Sequence, residues 1–212
     1  MNGDPANQPA AMRDYYRLHA AIYDATRWSF LFGRKLILRQ LPVRDDAPQT
    51  LLEIGCGTGF NLRFLAERRP ALRLAGVDVS KDMLSQAAKA LAPFPGRARL
   101  IEQAYGAGPV PGMEAPDFIL FSYALTMFNP GWEQAILRAR ADLPAGGRIA
   151  VVDFHSTRFG AFRWWMGKNH VRMEGHLLPF LQSIFRTESL EIRSAWLGLW
   201  QYFMYIGVKA DG

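Results

Sequence analysis

Apolar positions along the chain follow two patterns. Short strand-like runs, several of them continuously apolar, occur in "TLLEI" from Thr50, "LRLAGVDV" from Leu72, "ARLIEQA" from Ala98, "PDFILFSYAL" from Pro116 and "AGGRIAVVDF" from Ala145. Continuous apolar runs of this length suit strands covered on both faces, as in a parallel sheet. Between them, Leu62, Leu65 and Ala66, then Met83, Leu84, Ala87, Ala88 and Leu91, recur at helical spacing. Ser80 is placed to cap the second of these helices. A third helix is expected from Asn129-Pro130 to about Asp142, with Ala135, Ile136 and Ala139 on one face. Strands alternating with helices predict an α/β layered fold. The end of the chain differs: strand-like runs around Leu190–Trp196 and Tyr202–Lys209 have no helix between them, so they are expected to pair antiparallel.

Before this core, Asp14 to about Leu41 suits two helices separated near Asp24–Ser29 and bent at Gly33, after a tail of polar residues. Between the fifth strand and the final pair lies "HSTRFGAFRWWMGKNHVRMEGHLLPFLQSIFR", an insertion rich in aromatic and basic residues. The expected plan is one domain over 1–212. It comprises a helical lid at 12–44, a core at 50–154, an acceptor- or membrane-facing insertion at 155–186 and a terminal strand pair at 187–210.

Composition adds a few bounds. The chain has 212 residues, a single cysteine (Cys56) and a formal charge of +6. One cysteine excludes an internal disulfide and fits a reducing compartment. The opening "MNGDPANQPAAMRD" lacks the basic-then-apolar order of a signal peptide, and no run of 18 apolar residues exists. These features give the expectation of a cytoplasmic protein, free or peripheral on the inner face of the membrane. The charge is uneven: Arg158, Arg163, Lys168 and Arg172 lie between His155 and Met173 with no acid among them. Such a segment serves an anionic surface, a nucleic acid or ordinary solvation.

The candidate chemistry starts at "EIGCGTG", residues 53–59. A glycine-rich turn between strand and helix bares backbone N–H groups to a ligand. No Lys-Ser or Lys-Thr follows Gly59, so this is not a triphosphate-binding loop, and Phe60 breaks the GxGxxG spacing of a dinucleotide fold. Asp78 ends the second strand, where a carboxylate can accept both ribose hydroxyls or cap the next helix. Glu53, just before the glycines, would repel a pyrophosphate; it suits a cationic group, the orienting of the loop, or an internal ion pair. The pattern favours a nucleoside with a cationic, phosphate-free tail.

"LLEIGCGTG", "GVDVSKDML", the polar end of "LIEQA" and "ILFSYAL" together resemble the motifs of class I S-adenosylmethionine-dependent methyltransferases, from about Thr50 to Phe154. The resemblance implies a Rossmann-like seven-stranded, mostly parallel sheet with an antiparallel last strand and helices on both faces. It implies S-adenosyl-L-methionine as cofactor, with Gly55, Cys56, Gly57 and Gly59 against its methionine portion and Asp78 on its ribose. Val79 and Met83 would flank the adenine, Gln103 would stand where many members carry an acid for the adenine amino group, and Ser122 and Tyr123 would stand at the mouth. The stretch "YYRLHAAIYDATRWSFLFGR" is similar to the opening of the methyltransferases that make betaine lipids by trimethylating diacylglyceryl-homoserine. It is more loosely similar to phosphatidylethanolamine N-methyltransferases and quinone C-methyltransferases. In that likeness Tyr15, Tyr16, Tyr23 and Trp28 form an aromatic lid, Tyr23 most prominently, the alternative being an aromatic stripe that packs the first helices onto the body.

Methyl transfer from a sulfonium needs an aligned nucleophile with a free lone pair, and enclosure; no metal-binding spacing is present. An amine acceptor must lose a proton to solvent or to a base, for which His19, His155, His170 and His176 are the histidines at hand. His155 is expected just after the fifth strand, with Asp153 beside it as a site residue or half of a buried ion pair. Cys56 is read as packing. In the insertion, Phe159, Phe162, Trp164, Trp165 and Met166 alternate with Arg158, Arg163 and Lys168, a composition for an anionic bilayer surface or for core packing. Nucleic acid is disfavoured because the fourth strand reads "FSYA" and lacks the amino-methylating signature of nucleic-acid enzymes. The acceptor is therefore expected to be an amino-lipid or a small-molecule amine.

Overall fold

The computed structural model describes residues 30–44, 46–128, 130–168 and 171–210. Gly33–Gly212 form one compact unit. It opens with helix α1 (Arg34–Gln40), followed by β1 (Gln49–Ile54), α2 (Phe60–Arg68), β2 (Leu72–Asp78), α3 (Lys81–Leu91), β3 (Ala98–Glu102) and β4 (Phe118–Ser122). Then come α4 (Trp132–Asp142), β5 (Arg148–Ser156), α5 (Gly160–Lys168), α6 (Leu177–Ile184), β6 (Arg186–Ala195) and β7 (Trp200–Val208).

The seven strands form one sheet in the order β3-β2-β1-β4-β5-β7-β6. β1 pairs in parallel with β2 and β4, β2 with β3, and β4 with β5. β7 inserts between β5 and β6 and runs antiparallel to both. The expected Rossmann-like sheet with an antiparallel last strand is thus present. All five residues of β4 are buried, which explains why its run carries no polar alternation. Exposed β6 alternates Arg186, Glu188, Glu191 and Arg193 along its edge, charges that discourage pairing with another chain.

Helices cover both faces. On one, Trp132, Ala135, Ile136 and Ala139 of α4 and Leu177, Leu178 and Leu181 of α6 pack on Leu52, Ile54, Ile119, Phe121 and Val151. On the other, α1 packs on α2 and α2 on α3. The sheet changes direction between β1 and β4, since the chain winds outward to β2 and β3 and then returns to the other side of β1. In open α/β sheets the crevice beyond the strand ends at such a point is where ligands sit.

Several local expectations are corrected. Gly33 does not bend a helix; it is the N-cap of α1, with φ 78°. α4 starts at Trp132 behind Gly131, later than Asn129-Pro130. β5 continues to Ser156 because Phe154 and Ser156 pair with Tyr202 and Gln201 of β7, so His155 lies inside the strand rather than after it. The segment 155–186 is not a single outward insertion, because α6 belongs to the core. The expected lid residues Tyr15, Tyr16, Tyr23 and Trp28 lie outside the described residues, as do His19 and His170. No helix among the described residues is long and apolar enough to cross a membrane.

Candidate functional site

The three glycines after β1 all adopt positive φ: 68° at Gly55, 52° at Gly57 and 75° at Gly59. This left-handed backbone is open to glycine at little cost. Two of them also face close neighbours. A Cβ at Gly55 would stand 3.0 Å from Ala124 Cβ, and one at Gly59 would stand 2.9 Å from Ala87 Cβ. Gly59 is the N-cap of α2 and brings that helix against α3, so it takes the close-contact role that Phe60 cannot. The turn is pinned to β2 because Val77 O accepts from both Gly55 N (2.8 Å) and Cys56 N (3.1 Å).

Asp78 closes the same turn from the end of β2. Its Oδ2 accepts from Gly57 N at 2.8 Å and its Oδ1 from Ser80 N at 2.9 Å. An ionised carboxylate offers about four acceptor positions, so two bonds leave it able to take two more. Ser80 caps α3 as expected, its Oγ accepting from Met83 N at 3.3 Å. Between them Val79 is 70% exposed, an apolar side chain left facing solvent beside a carboxylate. Gln103 joins from the end of β3, its N–H donating to Asp78 O at 3.1 Å and its Nε2 to Gly108 O at 3.2 Å.

Below the loop, buried Glu53 accepts from Asn61 Nδ2 of α2 at 2.6 Å. Cys56 is buried against Gly76, where an added Cβ would fall 2.8 Å from its Sγ. Burial first, then the charges of Glu53 and Asp78, pushes the Cys56 thiol well above its ordinary range. It stays protonated and packs, as expected.

At the end of β4, Tyr123 holds φ 56°, strained for a bulky residue, and its ring meets Phe154 edge-on at 4.8 Å. Ser122 Oγ is buried with no hydrogen-bond partner among the described residues. Asp153 is fully buried, yet its bonds are not an ion pair. It accepts from Thr126 Oγ1 (2.5 Å), Thr126 N (3.2 Å) and Phe154 N (2.8 Å), which ties the turn after β4 to β5. Burial raises its pKa to about 6 against the lowering effect of those donors.

His155 stands apart from this group, in contact with Gly175, whose N–H donates to His155 O at 2.8 Å, and edge-on to Phe203 at 6.0 Å. Its Nδ1 is buried without a partner among the described residues, and burial lowers its pKa, so the ring is neutral near pH 7. His176 lies against Trp132 at 4.9 Å with its pKa lowered by burial, then by Arg172. The link from Thr126 to Asp153 and the contact between Gly175 and His155 were not foreseen. Only the fold brings these positions together, and no spacing rule announces them.

An open groove of about 820 Å³ lies at the other end of the strands, lined among others by Pro70, Arg73, Arg97, Arg99 and Met113. Arg97 is spent there on the carbonyls of Arg69 and Leu72, and Arg99 on that of Pro111. With Arg97 and Arg99 already bonded to main-chain carbonyls, the groove reads as a structural clamp and the candidate site is the glycine-loop end.

Residues 51–147 match the sequence model of the family described as a methyltransferase domain. Among curated relatives, a trans-aconitate 2-methyltransferase of Rhodopseudomonas palustris is 34% identical over 117 residues, 54% of this chain and 41% of that protein. The chain therefore spans about two-fifths of the length of that relative. Among solved structures, the [4+2]-cyclase SpnF superposes with TM-score 0.71 at 18% identity, covering 84% of this chain and 80% of that one. The 1,6-didemethyltoxoflavin-N1-methyltransferase of Burkholderia thailandensis, solved with S-adenosylhomocysteine bound, superposes with TM-score 0.68 at 17% identity, covering 100% and 92%. These likenesses show a methyltransferase-type fold.

Proposed function

We propose that the protein is an S-adenosylmethionine-dependent methyltransferase that acts on the amino group of a lipid headgroup, diacylglyceryl-homoserine being the first candidate. The observation that carries the first half is Asp78, bonded to Gly57 N of the glycine turn with acceptor capacity to spare and exposed Val79 beside it. A carboxylate so placed suits a ribose diol, Val79 and Met83 a flat base, and the turn 55–59 a phosphate-free amino-acid tail. When bound, S-adenosylmethionine supplies an electrophilic methyl group. Buried Glu53 holds the loop through Asn61, Ser122 offers a hydroxyl, and Gln103 presents an amide near the base. An ammonium substrate loses its proton to solvent or to a histidine, His155 being neutral near pH 7 though set apart against Gly175 and Phe203, and Tyr23 and Tyr123 are candidates for enclosing the reacting centre. The reading is supported by the matched family model and by the S-adenosylhomocysteine bound in the 1,6-didemethyltoxoflavin-N1-methyltransferase.

The lipid acceptor is supported by the resemblance of residues 15–34 and by exposed aromatic and basic side chains on α5. It places the protein at the inner membrane face as a peripheral protein. A second reading, transfer to a soluble polycarboxylate, is favoured by the relatives named for trans-aconitate. Fold alone does not choose a reaction, since SpnF is a cyclase. Purified protein incubated with methyl-labelled S-adenosylmethionine and, separately, diacylglyceryl-homoserine, phosphatidylethanolamine or trans-aconitate decides the acceptor. Label in the homoserine lipid is the expected result. Label in trans-aconitate alone overturns the lipid reading, and no label with no cofactor binding overturns the methyltransferase reading.

A further inference from the structure

α5 turns its largest side chains outward. Phe162 and Met166, one turn apart, face the body: Met166 is buried, and Phe162 stacks on buried Trp200 at 5.5 Å with ring planes 17° apart. At 3.6 residues per turn Trp164 lies opposite that pair. It is 63% exposed, with the Lys168 ammonium 4.2 Å from its ring centre. Trp165 and Phe159 are also exposed. A short helix that buries a methionine and exposes two tryptophans is not arranged for core packing.

The β6–β7 turn adds a second apolar piece, unannounced by the sequence pattern. Trp196 and Leu197 take φ 46° and 56°, and Leu197 is fully exposed while Trp196 is 56% exposed. Hairpin positions with positive φ ordinarily go to Gly, Asn or Asp. Here strained backbone holds two large apolar side chains in solvent, a combination associated with functional surfaces. The two pieces are joined: Thr157 Oγ1, just before α5, donates to Leu199 O at 2.7 Å, and the stack of Phe162 on Trp200 lies between them.

We propose that α5 and the Trp196–Leu197 turn form one docking surface for an anionic phospholipid bilayer. Arg158, Arg163, Lys168 and Arg172 lie along the same segment, with Glu174 paired to Arg172 at 2.6 Å as the adjacent acid. Aromatic side chains with basic neighbours suit the boundary between acyl chains and phosphates. A second copy across a two-fold axis would set these cations against themselves. The surface gives the proposed amino-lipid acceptor a route to the crevice and rests on that reading for its purpose alone, so the two can fail separately.

The test is co-sedimentation with phosphatidylglycerol–phosphatidylcholine vesicles, with S-adenosylhomocysteine titrated in parallel. Wild type is expected to pellet with vesicles containing phosphatidylglycerol and not with phosphatidylcholine alone. Lys168→Gln should bind about fivefold more weakly, an effect that fades in high salt. Trp196→Asn combined with Leu197→Asn should weaken binding about tenfold or more at every salt concentration. That variant should melt no lower than wild type, because Asn tolerates the left-handed backbone. Pelleting of the Asn pair equal to wild type overturns the proposal. So does wild type that stays in the supernatant, self-associates through this surface instead, or is displaced from vesicles by single-stranded nucleic acid. Vesicle binding without S-adenosylhomocysteine binding sinks the methyltransferase reading and leaves the surface standing; the reverse result does the opposite.

Discussion

Asp153 is a carboxylate buried by the sheet and held by hydroxyl and backbone donors with no cation in its set of bonds. Its folded pKa of about 6 lies above the ordinary value near 3.9. The folded state therefore holds the proton more tightly. This contribution to stability is complete below about pH 4 and is lost as pH rises through 6, to the extent of about 3 kcal/mol. Urea unfolding of wild type minus that of Asp153→Asn should show this decline between pH 4 and 6 and a flat difference above it. At pH 7 the substitution should cost about 1–3 kcal/mol, since an amide N–H₂ would face a donor. A pH-independent difference would mean that Asp153 keeps an ordinary carboxylate pKa in the folded protein. The sequence marked Asp153 by its place near a strand end, as a site residue or half of a buried ion pair. Its true partner Thr126 lies 27 residues away on the turn after β4, a contact that only closure of the sheet creates. Asp78 and Ser80 were legible because their partners are local in the chain or on the adjoining strand.

At the scale of elements, the meeting of α2 with α3 depends on Gly59. Gly59→Ala would combine a left-handed backbone with a Cβ 2.9 Å from Ala87 Cβ and 3.0 Å from Ala87 Cα. The expected loss is about 2–4 kcal/mol, from backbone strain and overpacking together. Adding Ala87→Gly should restore only part of it, because the strain and the backbone contact remain; a double-mutant cycle in urea measures the coupling. Full restoration would show that side-chain overlap alone matters. Helical periodicity located α2, α3 and α4 within a few residues. It failed at 155–186, where the mixture of aromatic and basic residues concealed two helices of different kinds. α6 is amphipathic and seals the core through Leu177, Leu178 and Leu181, whereas α5 has only Phe162 and Met166 turned inward. Apolar composition does not reveal which side chains are left outside.

At the scale of the molecule, unbroken apolar runs announced a parallel sheet, and the missing helix before the last strand announced its reversal. The insertion of β7 between β5 and β6 follows from neither feature; it reflects the pairing of β7 with both neighbours from Gln201 to Val208. This order brings the ends of β1, β2, β3 and β4 to one edge of the sheet, where the proposed cofactor site lies. Calorimetric titration with S-adenosylhomocysteine tests it most directly, comparing wild type with Asp78→Ala and checking that both melt cooperatively. Wild type is expected to bind, and loss of the carboxylate should weaken binding by about 1.5–3 kcal/mol for each ribose bond removed. Equal affinity in a folded Asp78→Ala protein, or no binding by wild type, would contradict the assignment.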